Sequence, residues 1–133
     1  MSTNTPSVWP TLNYEDAPAA IEFLTTAFGF EAVADFRHGD PSIVDHAQLR
    51  WPNGTGGVML SSKGKGDTPY QQRVTGNDAV YVVCQDPDAL FERASAAGAE
   101  VVMGLTDTDY GSRDCTFRDP EGNLWSFGTY AGE

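Results

Sequence analysis

Apolar residues recur along this chain at two spacings, one typical of helices and one typical of strands. Over residues 17–28 they recur every three or four positions, which predicts an amphipathic helix. Asp16 is suited to cap the start of this helix, Pro18 falls in its first turn, and Gly29 is suited to end it. Strands are predicted around this helix at residues 8–14, 31–36, 45–51 and 57–61.

The second half of the chain repeats this order of elements. A β-branched and aromatic run precedes Asp86 and Pro87, which form an N-cap followed by a proline at the first helical position. An apolar stripe follows, and Gly98 is suited to end the second helix. Strands are predicted in this half at residues 79–84, 100–105, 114–118 and 123–130.

Equivalent positions in the two halves are separated by a nearly constant distance. Asp16 and Asp86 are 70 positions apart, and residues 49–54 match residues 117–122 at an offset of 68. This internal duplication predicts one α+β domain over residues 1–133, built from two tandem βαβββ modules. The modules are predicted at residues 8–62 and 78–130, with a polar linker at residues 63–77.

The charge and hydropathy of the chain limit the kinds of molecule that it can bind and the compartment in which we expect it. Eight basic against 19 acidic side chains give a net charge of −11, which argues against a nucleic-acid partner because phosphates require a basic face. No apolar run approaches the roughly 18 residues that a membrane span needs. Residues 1–6 lack the features of a signal peptide, so we expect a cytoplasmic protein, with Cys84 and Cys115 as buried free thiols.

Two segments of the chain resemble a known superfamily. Tyr110-Gly111-Ser112-Arg113, followed by Asp119-Pro120-Glu121-Gly122 and Trp125, is similar to the closing motif of the PhnB-like and bleomycin-resistance-like branches of the vicinal-oxygen-chelate superfamily. Residues 16–30 also resemble those branches. The resemblance covers residues 8–130 and implies the glyoxalase/bleomycin-resistance fold, in which the two modules form a curved mixed sheet around a cleft. One fold hosts many activities, so the resemblance does not choose among them.

Strand alternation predicts which side chains face that cleft. Trp125 and Phe127 are expected to pack under a helix, and Tyr81 and Val83 are expected to pack inward. The cleft-facing sets are predicted to be Trp9, Thr11 and Asn13; His46, Gln48 and Arg50; Val80, Val82 and Cys84; Asp114, Thr116 and Arg118; and Leu124, Ser126 and Gly128.

The metal-dependent members of the superfamily resemble one another in four ligands. A His-type ligand lies on the first strand of each module, and a Glu-type ligand lies on the last. The resemblance places these positions on Trp9, Leu60, Val80 and Ser126, none of which offers a carboxylate or an imidazole. We therefore expect no metal and no cofactor at the usual site, which disfavours metal-dependent glyoxalase and dioxygenase activity.

His46 and Asp114 form the one candidate catalytic pair. The repeat makes them equivalent, so they could meet across a pseudo-twofold axis and act as a general base or bind a cationic ligand. Tyr110 and Arg113 belong to the loop that, by resemblance, folds over the binding site.

We therefore expect a metal-independent protein that binds a small cationic or aromatic molecule, with no nucleic-acid or membrane partner and with catalysis assigned to no residue. The resemblance also implies a homodimer, because members of this size commonly dimerise. The bleomycin-resistance-like members of the superfamily sequester their ligand, so the resemblance implies that this protein sequesters an antibiotic or a similar molecule. Two alternatives stay open: a lyase or isomerase that uses a non-standard site around His46 and Asp114, and a superfamily member with an unrelated ligand. The predicted ligand-binding residues are Trp9, Thr11, His46, Gln48, Leu60, Val80, Tyr110, Arg113, Asp114 and Ser126.

Overall fold

The structure of the protein is a computed structural model that describes residues 5–64 and 66–133. Residues 1–4 of the N-terminal stretch and residue 65 of the predicted linker lie outside the described residues. The elements follow in the order β1 (Thr11–Tyr14), α1 (Ala17–Phe28), β2 (Glu31–Phe36), β3 (His46–Arg50), β4 (Gly57–Ser62), β5 (Ala79–Val83), α2 (Pro87–Ala96), β6 (Glu100–Asp107), β7 (Arg113–Arg118) and β8 (Leu124–Gly128).

The strands form two four-stranded sheets with the same topology. The first sheet has the order β1-β4-β3-β2, and the second has the order β5-β8-β7-β6. In each sheet the first strand of the module pairs in parallel with the last, and the remaining pairs are antiparallel. The duplicated βαβββ fold predicted from the sequence is confirmed. No helix among the residues that the structure describes is long and apolar enough to cross a membrane.

Both helices begin and end as their sequences predict. The carboxylate of Asp16 accepts a hydrogen bond from the Ala19 amide at 3.1 Å, and Asp86 accepts one from Ala89 at the same distance. Gly29 follows α1 with a φ of 86°, in the left-handed region that side chains other than glycine rarely adopt.

The two modules bury their helix-bearing sheet faces in one shared core. Phe28, at the end of α1, contacts three aromatic rings of the second sheet, with centroid distances of 5.8 Å to Phe117, 5.8 Å to Trp125 and 4.8 Å to Phe127. These residues belong to one cluster of buried apolar side chains that takes in both helices and both sheets. Because this core covers one face of each sheet, the opposite faces, here called the outer faces, point away from it.

A buried carboxylate joins the two modules at the turn between β7 and β8. Asp119 is 4% exposed and accepts hydrogen bonds from the Tyr14 hydroxyl at 2.6 Å, the Asn123 amide at 3.0 Å and the Trp125 indole at 3.1 Å. Burial and the charge of Asp119 raise the pKa of Tyr14 well above its usual range, so the phenol stays protonated and donates. Residues 119–125 therefore form a hydrogen-bonded unit, and the hydrogen bond from Tyr14 attaches the end of β1 to it.

Two further contacts fix the ends of α1 to the second module. The Glu121 carboxylate accepts hydrogen bonds from the backbone amides of Glu15 and Asp16, at 2.7 and 2.8 Å, just before α1 begins. At the other end, the Arg93 guanidinium of α2 donates to the carbonyl of Thr26 at 3.0 Å. A negative group at the start of a helix and a cation at its end both complement the helix dipole.

We predict that Asp119→Ala lowers the free energy of unfolding by about 3–5 kcal/mol, because it leaves several buried donors without an acceptor. Urea denaturation followed by tryptophan fluorescence measures this change. Asp109→Ala is the matched control: Asp109 is an exposed carboxylate, and its removal should change stability by less than about 0.5 kcal/mol. Equal effects of the two substitutions would contradict a structural role for the Asp119 network.

Candidate functional site

The outer face of the first sheet carries polar and sulfur-containing side chains. Thr11 lies opposite Met59 in the parallel pair β1–β4, and Gln48 lies opposite Met59 in the antiparallel pair β3–β4. His46 stacks against Phe36 with a centroid distance of 6.3 Å. Trp9 lies over Gly57, where the missing side chain leaves room for the indole ring.

The linker lies along the edge of the first sheet. The Asn13 side-chain amide donates to the Tyr70 carbonyl, and the Arg73 guanidinium donates to the Thr11 carbonyl at 2.9 Å. The free edge of β1 is therefore partly covered by residues that precede the second module.

The outer face of the second sheet is more open. Tyr81 is 45% exposed and Val83 is 42% exposed, and both lie on β5, the edge strand of this sheet. Beside them the Thr116 and Ser126 hydroxyls are 2.9 Å apart, and Tyr81 lies opposite Ser126 in the parallel pair β5–β8. This face combines large exposed rings with hydroxyl groups that can donate or accept hydrogen bonds.

A groove adjoins this face along the edge of β5. It has a volume of about 410 Å³ and lies between β5, the segment 53–58 and the chain before β1. The Trp51 indole closes one side of it by donating to the Val83 carbonyl at 3.1 Å. Its size lies within the range of small-molecule pockets, about 300–1,000 Å³.

Most of the predicted cleft residues do lie on the outer faces. Trp9, Thr11, His46 and Gln48 are on the outer face of the first sheet, Asp114 and Ser126 are on that of the second, and the exposed Tyr110 lies beside Asp114. Whether these residues bind a ligand stays a prediction, because the structure decides only where their side chains lie.

The predicted positions of Leu60 and Val80 are wrong. Leu60 is 1% exposed in the core, because β4 pairs with β1 in the register that puts Met59 on the outer face. Val80 packs against the core, and Tyr81, which was expected to pack inward, faces outward instead.

The error on β5 has a simple physical cause. All five residues of Ala79–Val83 are apolar or aromatic, so the sequence shows no polar alternation that would distinguish the two faces. The parallel pairing of β5 with β8 determines which residues of β5 face the core, since Val82 lies opposite the buried Phe127. The prediction that Val82 and Cys84 line the cleft fails for the same reason, because both are buried in the core.

Arg113 also lies elsewhere than predicted. Its guanidinium forms ion pairs with Asp88 of α2 at 2.7 Å and with Asp107 at 3.1 Å, on the helix-bearing side of the sheet. Hydrogen bonds to Asp88 and, to a smaller extent, to Asp107 raise the pKa of Arg113. The sequence did not predict these ion pairs, because Asp88 and Asp107 lie on other elements and no motif around Arg113 points to them.

His46 and Asp114 lie on different sheets of the chain. Within residues 5–64 and 66–133 no hydrogen bond or ion pair joins them, so the predicted pairing is not found within one chain. The same described residues contain no group of three or more His, Cys, Asp and Glu side chains that could hold a metal ion. The first and last strands of each module pair Thr11 with Met59 in the first sheet and Tyr81 with Ser126 in the second. None of these four outward side chains is a carboxylate or an imidazole.

The two cysteines are buried free thiols, as predicted. Burial raises the pKa of Cys84 and raises that of Cys115 to about 12. Both thiols therefore stay protonated near neutral pH and are poor nucleophiles.

Comparison with known proteins identifies the family. Residues 8–127 match the Glyoxalase/Bleomycin resistance protein/Dioxygenase superfamily. The chain is 31% identical over 134 residues to the uncharacterized protein Mb0911c of Mycobacterium bovis, an alignment that covers 92% of this chain and 82% of the relative. The protein therefore belongs to the glyoxalase/bleomycin resistance protein/dioxygenase superfamily.

Two further relatives extend this comparison. The crystal structure of TioX from Micromonospora sp. ML1 superimposes with a TM-score of 0.76 at 31% identity, covering 92% of this chain and 98% of TioX. The anthracycline biosynthesis protein DnrV of Streptomyces peucetius is 32% identical over 145 residues, which cover 93% of this chain and 48% of DnrV. The chain thus spans about half the length of DnrV.

We predict that Leu60→Ala and Met59→Ala separate the two faces of β4. Leu60→Ala should lower the free energy of unfolding by about 2–5 kcal/mol, because it leaves a cavity in the core. Met59→Ala removes a half-buried side chain from the outer face and should cost less than about 1.5 kcal/mol. Chemical denaturation of both variants measures the difference, and a larger loss for Met59→Ala would reverse the assignment of faces.

Proposed function

We propose that this protein binds a small organic molecule on its outer sheet faces, without a metal ion and without making or breaking a bond in the ligand. The observation that carries this proposal is the donor set at the outward positions of the module strands. Thr11, Met59, Tyr81 and Ser126 offer hydroxyls, a thioether and an aromatic ring, which suit an organic ligand better than a divalent cation.

The relatives support an aromatic ligand. DnrV is an anthracycline biosynthesis protein, and anthracyclines are flat aromatic molecules. The exposed rings of Tyr81 and Tyr110 offer faces on which such a molecule can stack. The similarity of residues 110–125 to the PhnB-like and bleomycin-resistance-like branches supports sequestration of such a ligand as the role of the protein. Two buried free thiols fit a reducing compartment, which supports the cytoplasm as its location.

A homodimer would complete the site. In one chain the two outer faces point away from the shared core, so neither is closed by the other. A second copy could place the outer face of its second sheet opposite the first sheet of this chain and so form a cleft. Exposed apolar side chains support such a contact, namely Val33 and Phe36 on β2 and Val101, Val102 and Met103 on β6.

Ligand binding should raise the stability of the folded protein. A ligand present at 100 times its dissociation constant should add about 2.7 kcal/mol to the free energy of unfolding. Thermal denaturation with daunorubicin, bleomycin and a panel of other aromatic antibiotics measures this effect. Stabilisation by none of them would oppose the proposal, as would a stoichiometric transition metal in protein purified without a chelator.

We predict that the protein sediments as a dimer and that Met103→Lys shifts it towards the monomer. The added ammonium group would be buried against apolar side chains of the partner without a counter-ion, which disfavours the dimer. Val74→Lys is the matched control, since Val74 is also an exposed apolar residue but lies in the linker. Analytical ultracentrifugation distinguishes the species, and a monomeric wild-type protein at micromolar concentration would refute the dimer.

A further inference from the structure

Three tyrosines and one carboxylate meet on the outer face of the second sheet, in a group here called the tyrosine–aspartate cluster (Tyr81, Tyr110, Tyr130 and Asp114). The rings of Tyr110 and Tyr130 pack edge to face with a centroid distance of 5.6 Å. The Tyr81 hydroxyl donates to the Tyr130 carbonyl at 2.7 Å, which joins the third ring to this pair.

Gly128 allows the carboxylate and the third ring to come together. A Cβ atom at this position would collide with the Asp114 carboxylate and would lie 2.6 Å from the Tyr81 hydroxyl oxygen. The side chains of Asp114 and Tyr81 therefore converge over the backbone of β8, in space that only glycine leaves open. The sheet pairings bring these residues together, because Asp114 lies opposite Gly128 and Tyr81 lies opposite Ser126, two positions before Gly128 on the same face of β8.

Within the part of the chain that the structure describes, Asp114 accepts hydrogen bonds but forms no ion pair. One carboxylate oxygen accepts from the Ser112 hydroxyl, and the other has only a long contact of 3.5 Å with the Tyr110 hydroxyl. None of the ion pairs among the described residues includes Asp114, although Arg113 precedes it directly in the sequence. Arg113 is directed to the other side of the sheet, where it pairs with Asp88 and Asp107.

Two tyrosines of the cluster, Tyr81 and Tyr130, stay uncharged near neutral pH. Burial raises the pKa of Tyr81, with the charge of Asp114 as a further cause, and the hydrogen bond to Glu133 raises the pKa of Tyr130. Neutral aromatic rings around one anion form an environment that attracts cations through both the ring faces and the carboxylate. The net charge of −11 on the chain adds a long-range attraction of the same sign.

We propose that the tyrosine–aspartate cluster binds the ammonium group of an aromatic amine, with Asp114 as its counter-ion and the tyrosine rings around it. This inference rests on the proposed function and specifies its ligand class: an organic cation whose flat part extends along the outer face towards Val83 and the groove beside β5. A neutral ligand of the same shape would bind there without the ionic contact and therefore more weakly.

The experiment compares two ligands that differ in one charge. Daunorubicin carries a protonated amine on its sugar at pH 7, and its N-acetyl derivative keeps the rings and the sugar but is neutral. Fluorescence titration gives both dissociation constants for the wild type, for Asp114→Asn and for Asp109→Asn, which removes the same charge from an exposed position outside the cluster. Thermal denaturation of each variant shows whether it is folded.

We expect the wild type to bind daunorubicin about tenfold or more tightly than the N-acetyl derivative. Asp114→Asn should abolish this difference and leave the affinity for the N-acetyl derivative unchanged, which also shows that the site is intact. Asp109→Asn should keep the difference.

Three results would overturn the inference, and they identify which part of it fails. Equal binding of both compounds by the wild type would refute the cation site and leave the proposed function standing. A preference for daunorubicin that survives Asp114→Asn would remove Asp114 from the site. Absence of binding by either compound would refute the inference together with the proposed function for this ligand class. Should Asp114→Asn fail to fold, Tyr110→Leu removes an exposed ring of the cluster and should reduce the preference for daunorubicin, and an unchanged preference would remove this ring from the site.

Discussion

The structure depends on one constraint: both modules bury their helix-bearing sheet faces in the same core. Phe28 of α1 packs on the aromatic rings of the second sheet, so neither module has a complete core without the other. Burial of apolar area drives this arrangement, because small modules bury too little surface to be stable alone. The Asp119 network then fixes the modules in one orientation, since its donors come from both halves of the chain.

Under the proposed function, that constraint also determines where the ligand binds. With one face of each sheet buried, the outer faces are left to solvent, and they carry the hydroxyls, rings and amides that an organic molecule can contact. The duplicated scaffold is common to the superfamily, whereas the side chains on its outer faces belong to this chain. Function in such a fold therefore follows from those side chains rather than from the topology.

Charge distribution distinguishes the two halves of this surface. In the second half, Arg113 is neutralised by Asp88 and Asp107 on the helix side, so it does not pair with the Asp114 carboxylate on the outer face. The sequence places Arg113 and Asp114 side by side, and the alternation of the strand sends them to opposite faces. An acidic, tyrosine-lined surface on one sheet and a more polar surface on the other would give a ligand two chemically distinct ends.

The sequence by itself determined the duplication, the helices with their caps and the family, because these depend on local periodicity, on cap and turn chemistry and on motifs of fixed spacing. It also placed His46, Gln48 and Asp114 correctly, since polar and apolar residues alternate in β3 and β7. It failed for Val80 and Leu60, because a run of apolar residues does not show which side of the strand faces the core. It also failed for Arg113, because its partners Asp88 and Asp107 lie on other elements of the fold. Only the tertiary structure decided these positions, because strand register and the shared core select a face through contacts that no local segment contains.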